Sequence, residues 1–74
     1  MENKVLEIIN FIRSGKGLKP VDNINENTKL RDDLDFTSFD LAELTVRIED
    51  EFDVDIFEDG IIESVGEVYN KLKK

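Results

Sequence analysis

The chain lacks histidine, cysteine and tryptophan altogether, and has one proline, one tyrosine and four glycines in 74 residues. Each absence removes a class of function. Without histidine or cysteine, neither a zinc site nor a Ser/His or Cys/His catalytic arrangement can be assembled. Without cysteine the chain is not a disulfide-stapled secreted module. No apolar run approaches the roughly 18 residues of a membrane span, no signal peptide is visible, and the expected location is the cytoplasm. No glycine-rich phosphate loop is present. Asp53, Asp55, Asp59 and Gly60 have the composition of a calcium loop but not its register. Counting from Asp55, Phe57 falls on the third position and Gly66 where a bidentate glutamate is required. No catalytic residue and no metal site are expected, and the chain is not read as an enzyme.

What is present is acid. The formal charge is −8, and twelve of the eighteen acids lie between Asp32 and Asp59, where Arg47 is the one base. Such a surface repels nucleic acid and anionic membranes and attracts proteins with basic patches. The length implies a single domain, residues 1–74, of a size that buries only about 60% of its unfolded surface.

The hydrophobic pattern is helical. Val5, Ile8, Ile9 and Ile12 share one face of a first helix, Glu2 to Arg13, with Leu6 and Phe11 at its flanks, stopped by Gly15 and Gly17. A long connection follows to about Phe36. Its apolar residues Leu18, Val21, Ile24, Leu30, Leu34 and Phe36 imply an ordered loop pinned across the core, with a helical turn near Asn27 to Asp32. A second helix is expected over Ser38 to Phe52, capped by Thr37 with Asp40 answering as in a capping box. Val54 to Phe57 alternates like a strand but has no partner strand, so it reads as an extended connection. A short third helix is expected around Glu58 to Ile62. The last helix starts at the capping box Ser64 to Glu67, with a stripe of Val65, Val68, Tyr69 and Leu72. The fold class is all-α, a four-helix bundle with a long first loop and a short third helix.

Two features of the second helix suggest a function. Ser38 stands in its first turn, where free N–H groups and the positive end of the helix dipole favour an anion, so this serine reads as an attachment point. At ~100° per residue, Leu41, Leu44, Ile48 and Phe52 form the core stripe, while Phe39, Ala42 and Val46 form a second apolar patch among Glu43, Glu49, Asp50 and Asp53. One face suffices to join a bundle. The second patch reads either as a docking site or, if Phe39 folds back against Leu34 or Phe36, as a solvated surface.

The segment Asp33-Leu34-Asp35-Phe36-Thr37-Ser38-Phe39, then Glu49-Asp50-Glu51-Phe52, then Asp53-Val54-Asp55-Ile56 resembles the acyl carrier protein family without a gap. Three positions depart from the family pattern: Asp35 stands for a glycine, Thr37 for an aspartate and Phe39 for a leucine. The resemblance extends over nearly the whole chain in length and helix order. It implies 4′-phosphopantetheine, a covalent cofactor on Ser38, installed by a phosphopantetheinyl transferase and carrying acyl or aminoacyl groups as thioesters. It implies partner contact through Phe39, Asp40, Glu43, Val46, Glu49 and Asp50, with acyl- or aminoacyl-loading and synthase enzymes that have basic docking patches. A monomer is expected. The core stripe, with Val5, Ile9, Ile12, Val65, Val68 and Leu72, is expected partly to line a space that shelters a short acyl chain. The three departures favour a specialised aminoacyl or secondary-metabolite carrier as one alternative. An unmodified interaction module using the acidic helix is another.

Overall fold

The computed structural model describes residues 2–58, 60 and 62–73. Among these are three helices: α1 (Glu2–Gly15), α2 (Ser38–Phe52) and α3 (Val65–Leu72). α1 continues two residues beyond the expected Arg13. Its end is closed by Gly17 at φ 79°, with the Leu18 amide returning to the Arg13 carbonyl. The stripe Val5, Ile8, Ile9 and Ile12 is buried, as the i, i+3, i+4, i+7 spacing requires, and packs with Leu41, Leu44 and Ile48 of α2.

Among the described residues, a third of the core comes from outside the helices. Leu30, Leu34 and Phe36 of the long loop are at most 3% exposed, and Ile56 and Ile62 of the second connection are buried beside Val65 and Val68 of α3. Fully burying an aliphatic side chain of this size contributes about 1.5–3 kcal/mol. These side chains therefore give the long loop its order. Asn10 of α1 also grips it, donating from Nδ2 to the Val21 carbonyl and accepting from the Val21 amide.

The helical turn in this loop lies later than Asn27 to Asp32. The Asp33 and Leu34 amides both return to the Lys29 carbonyl, and the Asp33 carboxylate accepts from the Lys29 amide. Just before the turn, an isolated antiparallel bridge joins Lys29 to Ser64. The Leu30 amide donates to Glu63, the Val65 amide to Thr28, and the Gly66 amide to Glu26. The start of α3 is thus bolted to the loop through main chain, a pairing that the apolar pattern did not announce.

α2 ends at Asp53, in the left-handed conformation at φ 60°, its amide donating to the Glu49 carbonyl. Val54 and Asp55 belong to no helix or strand, and turns follow over Ile56, Phe57 and Glu58. Of the short helix expected over Glu58 to Ile62, Asp59 and Ile61 lie outside the described residues, and neither Gly60 nor Ile62 is helical. No described helix is long and apolar enough to cross a membrane. Tyr69 is 9% exposed; burial, with the Glu2 carboxylate nearby, pushes its hydroxyl pKa up.

Candidate functional site

The start of α2 is built from the turn that precedes it. Leu34 is buried, Asp35 reverses the chain at φ 63°, and Phe36 is buried again. Asp35 thus occupies the left-handed position for which the resembled pattern uses glycine. Aspartate is among the few other residues that tolerate it. Thr37 follows in extended conformation as N-cap, so Ser38 becomes the first helical residue.

The cap is a complete capping box. The Thr37 hydroxyl accepts from the Asp40 amide at 3.2 Å, and the Asp40 carboxylate accepts from the Thr37 amide at 2.8 Å. Asp40 was expected among the partner contacts; instead its side chain turns inward and is 6% exposed. The reason is Lys16, whose ammonium lies 2.6 Å from Asp40 Oδ2, donates to the Asp35 carbonyl, and sits 5.9 Å from the centre of the Phe36 ring. Burial by itself would raise the Asp40 pKa. The hydrogen bonds from Lys16 and Thr37, with the charge of Lys16, outweigh it and hold the carboxyl below its ordinary value. Asp40 therefore fixes the helix start from beneath.

Ser38 itself is exposed. Its Oγ accepts a hydrogen bond from Arg31 Nη2 at 2.6 Å. The amide N–H groups of a helix's first turn have no acceptor within the helix, and the dipole adds positive potential there. An exposed hydroxyl, a guanidinium and a helix N-terminus thus meet at one point.

The outward face of α2 carries the second apolar patch. Phe39 is 80% and Val46 65% exposed, so Phe39 does not fold back on the buried Leu34 and Phe36. Glu49 and Asp50 are exposed. Glu43 is half-buried and paired with Arg47 at 2.9 Å, and the Arg47 guanidinium lies 4.2 Å from the centre of the Phe11 ring on α1. Glu43, Val46, Arg47, Glu49, Asp50 and Asp53 line an open groove of about 580 Å³. A second open groove, about 410 Å³, lies between Phe11 and Phe39 across the two helices. Of the side chains expected to line a sheltering space, Ile12 lines the second groove, whereas Val5, Ile9, Leu44, Ile48, Val65 and Val68 line neither and are packed in the core at 0–1% exposure.

The structure thus brings Ser38, Phe39, Glu43, Val46, Glu49 and Asp50 onto one exposed side of α2 and removes Asp40 from it. Lys16 and Arg31 were missed from the sequence. They lie 24 residues before Asp40 and seven before Ser38, and no periodic pattern links such positions before the loop is folded. Among the described residues no three carboxylates converge as metal ligands.

The pattern of phosphopantetheine attachment sites matches residues 16–70, from the end of α1 through most of α3. Over 54 residues the chain is 41% identical to an acyl carrier protein of Lactobacillus acidophilus, a match covering 70% of this chain and 68% of that relative. The matched segment contains the exposed serine at the head of α2, its capping box and the acidic helix behind it. With this fold and these two matches, the chain belongs to the acyl carrier protein family, whose members bear phosphopantetheine.

Proposed function

We propose that the protein carries acyl or aminoacyl groups on a 4′-phosphopantetheine arm joined to Ser38, and presents them to partner biosynthetic enzymes along the outward face of α2. The observation that carries this reading is the exposed Ser38 hydroxyl in the first turn of α2, inside the segment that matches the attachment pattern. The residues present suit such an arm. The hydroxyl is open to a modifying enzyme, and the guanidinium and helix N-terminus around it favour the phosphodiester anion, the dipole by about 0.3–1 kcal/mol. The arm supplies a terminal thiol that holds the cargo as a thioester.

In the attachment step, Ser38 Oγ forms a bond to the phosphorus next to the pantetheine of coenzyme A. The pyrophosphate bond breaks, adenosine 3′,5′-bisphosphate leaves, and the hydroxyl proton passes to a base of the phosphopantetheinyl transferase. Thr37, Asp40 and Lys16 keep the helix start rigid while this happens. Phe39 and Val46 offer apolar contact, and Glu43, Glu49 and Asp50 steer partners with basic patches, an effect screened over about 8–10 Å at ordinary ionic strength. The protein does no chemistry on the cargo; it raises the effective concentration of a tethered substrate. In this reading it is a cytoplasmic monomer.

The test is incubation with a broad-specificity transferase and coenzyme A, followed by intact-mass measurement. Wild type gains the mass of one arm, and Ser38→Ala gains nothing while melting within about 0.5 kcal/mol of wild type. An unmodified wild type, or a modified alanine variant, overturns the attachment at Ser38.

A further inference from the structure

We infer that Arg31 is a positioning residue for the attachment site, holding the Ser38 hydroxyl before modification and pairing with the phosphodiester anion after it. The inference rests on the reading of Ser38 as the attachment point. Three observations carry it.

Arg31 Nη2 lies 2.6 Å from Ser38 Oγ, one hydrogen bond from the atom to which the phosphorus is joined. The backbone that bears Arg31 is fixed: Leu30 and Leu34 on either side are at most 1% exposed, and the Arg31 carbonyl accepts from the Asp35 amide at 3.1 Å. Finally, Arg31 makes no ion pair among the described residues, although Asp32 and Asp33 follow it directly. The Asp33 carboxylate is taken up by the Lys29 amide, and the guanidinium turns to a neutral hydroxyl instead.

A guanidinium has five donors in a planar fork suited to phosphate oxygens, and one bond to a hydroxyl leaves most of them available. A phosphodiester on Ser38 adds a unit negative charge to a chain already at −8, within the acid-rich stretch. Arg31 is the cation placed to offset that charge. Two other bases that touch α2 are committed elsewhere, Lys16 to Asp40 and Arg47 to Glu43.

The experiment compares wild type, Arg31→Ala and Arg31→Lys, each before modification and after modification driven to completion with excess transferase. Melting temperature and the phosphorus-31 resonance of the phosphodiester are read at low and at about 1 M salt. The unmodified forms should melt together, because an exposed bond of this kind contributes little. At low salt, attachment should lower the melting temperature of Arg31→Ala by about 2–4 °C relative to its effect on wild type. The phosphorus resonance should differ between the two. Arg31→Lys should recover part of both differences, and about 1 M salt, where the screening length is near 3 Å, should erase them. Equal resonances and equal melting shifts at low salt overturn the role of Arg31 while leaving the attachment intact. No mass gain in wild type overturns the Ser38 reading and this inference with it.

Discussion

α2 and α3 begin with the same device and end up with opposite surroundings. Each has a hydroxyl N-cap, Thr37 or Ser64, answered three residues later by a carboxylate, Asp40 or Glu67. In α2 the first two helical residues, Ser38 and Phe39, are exposed and the third, Asp40, is buried. In α3 the order is reversed. Val65 is 0% exposed, Gly66 has the Glu26 carbonyl against it, and Glu67 faces solvent. The loop segment 26–30 covers the start of α3 through main-chain bonds, whereas the start of α2 is held from below by Lys16 and left open above. A capping box settles where a helix starts. It does not settle which side of that start meets water, and at α2 the open side is where Ser38 offers its hydroxyl.

The difference is most easily broken at the second helical position. A Cβ on Gly66 would stand 2.7 Å from the Glu26 carbonyl oxygen. Gly66→Ala should therefore destabilise by about 1–3 kcal/mol, despite the higher helix propensity of alanine. Phe39→Ala, at the matching position of α2, should change stability by no more than about 0.5 kcal/mol. Thermal melts of the two variants give the contrast directly; equal losses would mean that the two helix starts are alike after all.

The third position should show a smaller effect in the opposite sense. Asp40→Ala removes the cap partner and strands the Lys16 ammonium, at a cost of about 2 kcal/mol, whereas Glu67→Ala removes an exposed cap partner at about 0.5–1 kcal/mol. The Asp40 pKa is lowered from 3.8 in the folded chain. Its charge therefore contributes stability that is fully present above pH 3.8 and is lost as pH falls below that value toward the folded pKa. Acid melts of wild type should show this loss, and Asp40→Asn should flatten it. An unchanged acid limb in Asp40→Asn would remove the Lys16 pairing from the account.

The smallest effect concerns the turn that opens α2. Asp35 is in the left-handed region at φ 63°, so Asp35→Gly should raise stability by about 0.5 kcal/mol and Asp35→Val should cost about 1–2 kcal/mol. Denaturant midpoints that move in the same direction for both variants would contradict the turn geometry.

The helices were legible because their signals are local. The stripes Val5–Ile12 and Leu41–Ile48, the box at Thr37 and Asp40, and the box at Ser64 and Glu67 each depend on residues within a turn or two of one another, and each stands where its spacing put it. The apolar residues of the long loop also foretold that it would be pinned. What spacing could not give is any contact across the loop: the bridge of Lys29 to Ser64, the Lys16 bond to Asp40, or the Arg31 bond to Ser38. The same limit hid the burial of Asp40, which the family resemblance had placed among the partner contacts and which pairs with Lys16 instead. The sequence by itself determined an acidic helical domain with a serine at a helix head and the pattern of an attachment site. The tertiary structure alone decided that this helix head is the open one of two, with a lysine beneath it and an arginine at the hydroxyl. Those facts depend on where a loop of some twenty residues returns, and that path is set by burial of Leu30, Leu34 and Phe36 against helices distant in the chain.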